Sequence, residues 1–167
     1  NTSIINLRIK NPYVIVDFPA GRSVARWRQN RTSVVIYADK QLVMQNVDVT
    51  NCYSGGLVGI VNIRSTESVT IDSCFFFNLE SFYGALNVMG GWARTQLSID
   101  NSFFIGIFGF ESASIRMDDI DATIHGTTFY ITSGEFAAGS VLVSRSSATI
   151  TNTVFSDGYV RESLLCI

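Results

Sequence analysis

Few residues in this sequence are placed to do chemistry. Asp72, Asp100 and His125 occupy the same place in three successive stretches related by an internal repeat. Two carboxylates side by side could share a cation, or one could raise the pKa of the other, as acid–base work at neutral pH requires. The next members of that column are Gln45 and Thr151, so no Arg base stands beside them. A solvated outer face would carry polar residues there anyway, and that is the simpler reading. Asp118, Asp119 and Asp121 put three carboxylates into four residues. Ca²⁺ takes oxygen ligands, but the EF-hand spacing and its glycine are missing, and an acidic turn accounts for the run equally well.

The other chemical candidates are similarly bounded. Cys52, Cys74 and Cys166 are odd in number and include no CxxC pair. They make no disulfide framework, and either one bridge with one free thiol or three buried thiols fits. A structural zinc site needs four N or S ligands, which this spacing does not supply, and His125 is the only histidine. GxSxG, HExxH and a phosphate-cradling glycine loop are absent. The segment 17–31 packs Arg22, Arg26, Trp27, Arg28 and Arg31 together. Arg and Trp are common interface anchors, and Trp27 could stack on a sugar ring. A loop folded over the first coil is the plainer alternative. Asn1-Thr2-Ser3 and Asn30-Arg31-Thr32 are N-glycosylation acceptors if the chain is secreted by a eukaryote. Taken together, these residues predict no catalytic centre and no required cofactor.

The elements that must position these residues are set by the repeat. Anchors at Ile9, Met44, Ile71, Ile99, Ile124 and Ile150 recur, the last four intervals being 25 to 28 residues. Residues two before each anchor are apolar and residues one after are polar, the period-two pattern of a strand with one buried face. Two after the anchor stand Asn11, Asn46, Ser73, Asn101, Gly126 and Asn152. Asn and Gly tolerate the left-handed conformation, so this column predicts one sharp bend per repeat. Five after the anchor, Val14, Val49, Phe76, Phe104, Phe129 and Phe155 resume inward burial. A third segment opens on a small residue, with segments starting at Ser33, Gly56, Gly84, Ala113, Gly139 and Ser163.

A three-strand unit of this size cannot bury its own apolar face and must stack on its neighbours. The expected fold is all-β: a right-handed parallel β-helix of about six coils of roughly 26 residues, the hand following the crossover rule. The whole of 1–167 reads as one domain, with 17–31 inserted in the first coil.

Composition agrees with that fold. Hydrophobic residues make up 47% of the 167 and charged residues only 16%, which excludes a disordered chain. No apolar stretch is long enough for a membrane-spanning helix. A net charge of −2 is too small to imply nucleic acid or a membrane as partner. The charge is unevenly divided: residues 1–45 carry +5 and residues 46–167 carry −7. Complementary ends favour contact between copies of the chain. The chain opens on Asn rather than Met and closes on an apolar Leu164-Leu165-Cys166-Ile167, which points to a trimmed piece of a longer solenoid or to ends covered by another subunit.

The asparagine column at a bend, with Ile and Phe stacked inside, resembles the right-handed β-helix of pectate-lyase-like proteins. Phe75-Phe76-Phe77-Asn78 with Gly84-Ala85-Leu86, and the near variant Ser54-Gly55-Gly56-Leu57-Val58, resemble the FxxN and GGA[ILV] motifs of chlamydial polymorphic outer-membrane proteins. The later repeats depart from that pattern, since the stretches at Phe129 and Phe155 lack the Asn and Ala113 and Ser163 replace Gly. The second resemblance implies an extracellular, adhesive, non-catalytic β-helix, a structural element of a surface protein or filament. The first implies an alternative, a lyase or hydrolase acting on an acidic glycan through Asp72 and Asp100. A carbohydrate-binding module using Trp27 is the third expectation.

Overall fold

The computed structural model describes residues 2–5, 8–10, 34–38, 40–54, 59–65, 67–91, 94–112, 114–136 and 139–160. Among them every regular element is a strand, and all strand pairs are parallel. The first sheet stacks β1 (Thr2–Ile5), β4 (Gln41–Gln45), β7 (Ser68–Asp72), β10 (Thr95–Asp100), β13 (Ile120–His125) and β16 (Ser147–Thr151) in that order. The second stacks β2 (Arg8–Lys10), β5 (Asp48–Tyr53), β8 (Phe75–Ser81), β11 (Phe103–Gly109), β14 (Thr128–Gly134) and β17 (Val154–Ser156), with the short β18 (Tyr159–Val160) also beside β14. The third stacks β3 (Val34–Ala38), β6 (Val61–Ser65), β9 (Leu86–Met89), β12 (Ile115–Asp118) and β15 (Val141–Ser144). Each sheet takes every third strand, so the chain winds as a parallel β-helix.

Four consecutive coils, from β4 to β15, are complete. The expected count of about six is therefore corrected to about four turns, preceded by a rung of β1, β2 and β3 and followed by one of β16 and β17. The interior explains the composition. Met44, Ile71, Ile99 and Ile124 pair in register and are buried. Phe76, Phe104, Phe129 and Phe155 form one stack, with successive centroids 4.6, 5.0 and 4.8 Å apart and planes within 12°. Such ring pairs contribute about 0.5–1.5 kcal/mol each beyond the area they bury.

Two registers differ from expectation. In the first coil Ile4, not Ile9, pairs with Met44, while Ile9 pairs with Val49. Ile4 and Ile9 are five residues apart, the same separation as anchor and inward residue in every later coil, so either fits the alternation. Asn11 and Val14 lie outside the described residues. In the third sheet Val61 pairs with Leu86, so the small residue that opens β6 is Gly59 rather than Gly56. The cause is Asn62: the Gly59 N–H donates to its Oδ1 at 3.0 Å and its Nδ2 donates back to the Gly59 carbonyl at 2.7 Å. A Cβ on Gly59 would press on Asn87 Cβ and the Gly84 carbonyl. In β3 the paired apolar residues are Val34 and Ile36, one position earlier than the pattern after Ser33 predicts.

The bends repeat. Asn46, Ser73, Asn101, Gly126 and Asn152 all have φ between 49° and 59°. The N–H of each of the first four donates to a carbonyl of the next coil, as from Asn101 to His125 at 3.0 Å. The residues after the bend are Val47, Cys74, Ser102 and Thr127, all fully buried. The Ser102 hydroxyl donates to the Asp100 carbonyl at 2.8 Å and accepts from the Cys74 N–H at 3.1 Å. Thr127 repeats the arrangement with the His125 carbonyl and the Ser102 N–H. A hydroxyl at this corner thus satisfies backbone groups that the turn would otherwise leave unpaired.

A second column of left-handed residues was not evident from sequence. Asn51, Asn78, Gly106, Ile131 and Asp157 have φ of 51° to 64° and kink the second sheet in mid-strand. The pairing skips Gly106 and Ile131 together and keeps its one-to-one register on either side, and at this kink two successive residues, Tyr130 and Ile131, face outward. Asn78 Nδ2 donates to Asn51 Oδ1 at 2.8 Å across neighbouring coils. The Asn of the FxxN stretch is therefore a backbone device.

Candidate functional site

Asp72 and Asp100 do face each other on adjacent strands of the first sheet. Each is already engaged. Asp72 accepts from Gln45 Nε2 at 3.2 Å, Ser73 Oγ at 3.1 Å and Asn101 Nδ2 at 3.4 Å. Asp100 accepts from Ser98 Oγ at 2.6 Å. His125 follows in the same row, its Nδ1 2.9 Å from Thr151 Oγ1. The row is a polar ladder in which Asp72 takes hydrogen bonds from the coils on both sides and Asp100 from its own strand.

The acidic run is divided among Arg partners. Arg145 Nη2 lies 2.9 Å from Asp119 Oδ2, to which it donates. The same nitrogen is 2.8 Å from Asp118 Oδ1, but that oxygen has no well-aligned hydrogen bond. Asp121 accepts from Arg94 Nη1 at 2.8 Å and Ser147 Oγ at 2.7 Å. These bonds, the Ser147 one foremost, hold the Asp121 carboxyl below its ordinary pKa. Asp118 and Asp119 therefore face one guanidinium and Asp121 another. Among the described residues no three His, Cys, Asp or Glu side chains gather as a metal site. Cys52 and Cys74 are free, buried thiols whose pKa burial pushes up. Arg22, Arg26, Trp27, Arg28, Arg31, Asn1, Asn30 and Cys166 lie outside the described residues.

The third sheet carries a polar row that sequence reading missed. Asn87 Nδ2 donates to Asn62 Oδ1 at 3.0 Å, and Arg116 Nη1 reaches Asn87 Oδ1 at 3.4 Å. The Arg116 guanidinium carbon sits 4.6 Å from the centre of the Tyr83 ring, a cation–π contact. Its Nε is 3.7 Å from Glu111 Oε1, within ion-pair range but too long for a hydrogen bond. This row is nearly closed to water and reads as a structural network.

The second sheet is different, because its outer face is aromatic. Phe77, Phe103, Phe108, Tyr130 and Tyr53 project outward and are exposed. At the end of β8 the chain turns through Phe82, which stacks on Phe110 at 5.4 Å, and Phe110 in turn meets Phe136 at 4.7 Å. Between this corner and the strands lies a cleft of about 290 Å³ lined by Tyr53, Ser54, Glu80, Ser81, Phe82, Phe108 and Phe110. In register, Glu80 is flanked by Tyr53 on one coil and Phe108 on the other. Single exposed apolar residues are unremarkable, but an aromatic face with a cleft is a candidate binding surface. Its signal in the sequence is the phenylalanines that flank the inward ones, Phe75 and Phe77 beside Phe76 and Phe103 beside Phe104.

Comparison with known proteins returns no match to a family model, to a curated protein or to a solved structure.

Proposed function

We propose that the chain is a non-catalytic structural or adhesive β-helix working outside the cell, assembling end to end with copies of itself. The supporting observation is the state of the last rung. The interior columns run on through Ile150 and Phe155, yet these are 42% and 50% exposed. Among the described residues no strand pairs with the far side of β16 or β17. An unpaired parallel edge above an exposed apolar interior is a template for another strand in the same register, supplied by a second copy or by further coils of a longer solenoid. The opposite charge of the two parts of the chain favours a head-to-tail partner, which gives a filament when the contact does not close. The pectate-lyase-like ancestry and the surface-adhesin role belong to this proposal, as does the extracellular location.

Sedimentation velocity over a wide concentration range, with electron microscopy of the same samples, tests it. Assembly that grows with concentration and is lost in Phe155→Lys is the expected result. Monodisperse monomers of the native chain at every concentration would reject it.

A further inference from the structure

We infer that the cleft between Tyr53, Glu80 and the Phe82–Phe110 pair binds a quaternary or tertiary ammonium group. Four of its seven lining residues, Tyr53, Phe82, Phe108 and Phe110, are aromatic, and the face of such a ring attracts a cation. One carboxylate, Glu80, sits in register between Tyr53 and Phe108. Among the described residues it has no ion-pair partner. Asp72 and Asp100 also lack an Arg, but their carboxylates accept side-chain hydrogen bonds, whereas that of Glu80 accepts none among the described residues. Ser54, which also lines the cleft, is buried, and its hydroxyl finds no partner among the described residues.

The chemistry of the lining selects the ligand. A primary ammonium is strongly hydrated and gives up water reluctantly, whereas an alkylated one is apolar at its surface and suits aromatic walls. A sugar needs several hydrogen-bond partners; the Ser81 hydroxyl is committed to the Gly84 carbonyl at 2.6 Å, which leaves it Ser54, Glu80 and the Tyr53 hydroxyl. The volume, about 290 Å³, lies just under the range usual for drug-sized ligands and fits a head group better than an oligosaccharide. This inference goes beyond the structural role and does not depend on self-association.

The test titrates the folded chain with choline, with its neutral tert-butyl analogue and with a methyl glucoside, read by calorimetry or by shifts of aromatic NMR signals. Choline should bind roughly tenfold or more tightly than the neutral analogue, since only the charge differs. Glu80→Gln and Phe110→Leu should each weaken choline about tenfold, with an unchanged circular dichroism spectrum and urea midpoint. Equal binding of the analogue, preference for the glucoside, or no effect of Glu80→Gln would overturn the assignment, as would no choline binding at all. Co-sedimentation with phosphatidylcholine vesicles, against phosphatidylglycerol vesicles, separates the two sources. Retention that free choline competes away assigns a lipid head group, and choline binding without retention assigns the free small molecule; both uphold the site.

Discussion

Gly90 and Asp119 lie on adjacent coils so close together that a Cβ on Gly90 would fall within 3.0 Å of the Asp119 carbonyl oxygen. The Gly90 N–H donates to the Asp118 carbonyl at 2.8 Å, so the two backbones are held at that distance. The clash is with main chain and cannot be relieved by a rotamer. Gly90→Ala should cost about 1–3 kcal/mol, the range for overpacking, and lower the urea midpoint without changing the slope. An unchanged midpoint would show that the coils are not so closely seated.

The phenylalanine stack makes a graded prediction. Phe104 is fully buried with a ring on either side, whereas Phe155 has one neighbour and is half exposed. Phe104→Ala should cost about 3–5 kcal/mol, as for a buried Phe, and Phe155→Ala clearly less. Denaturant unfolding of the two variants checks the order. Equal losses would mean that the end of the stack is as well covered as its middle.

Ile131 predicts a gain. It is β-branched and exposed, and its φ of 51° is the left-handed region that such residues avoid. The equivalent residues Asn51, Asn78 and Gly106 accept that conformation readily. Ile131→Asn should stabilise by roughly 1 kcal/mol, within the usual cost of such backbone strain. Thermal unfolding would show a higher midpoint, and a lower one would sink the idea.

The Asp121 carboxyl ties stability to acid. Its folded pKa is below the unfolded value, held there by Ser147 and then Arg94. Its contribution is therefore present above the unfolded carboxylate pKa and is lost as pH falls through the folded one. The site is exposed, so the effect is small and screened by salt. In Asp121→Asn the loss of stability on acidification should be shallower at low salt, measured by unfolding as a function of pH. An identical profile in both proteins would remove the linkage.

The buried thiols act at the other end of the scale. Cys52 and Cys74 have raised pKa values, burial being the main cause. Their stabilising contribution is complete below the unfolded thiol pKa and fades as pH rises through the folded one. Both should resist alkylation in the native chain at pH near 8 and react on adding denaturant, as the thiolate is the nucleophile. Peptide mapping after a short labelling pulse reads this residue by residue, and native labelling at full rate would contradict it.

The repeat was legible because stacking imposes it. Each interior column, such as Ile71, Ile99 and Ile124, must fill the same space in successive coils, so like residues return at the coil length. The bend column was legible too, since few side chains accept a positive φ and Asn46, Asn101 and Gly126 are of those types. Other features have no local signature. Ile4 and Ile9 present the same alternation, and only pairing to Met44 and Val49 tells them apart. Asp72 and Asp100 do lie side by side, but the engagement of Asp72 by Gln45 and Asn101 depends on side chains from other coils. The run Asp118 to Asp121 looks like one site along the chain and becomes separate ion pairs because Arg145 and Arg94 arrive across rungs. The aromatic cleft is likewise assembled from three coils, with Tyr53, Glu80 and Phe108 meeting only through strand register. Sequence alone determined the winding and its interior, because those depend on residue type at a fixed period. The tertiary structure decided which charges are neutralised and where a ligand can enter, because those depend on contacts between residues about one coil apart.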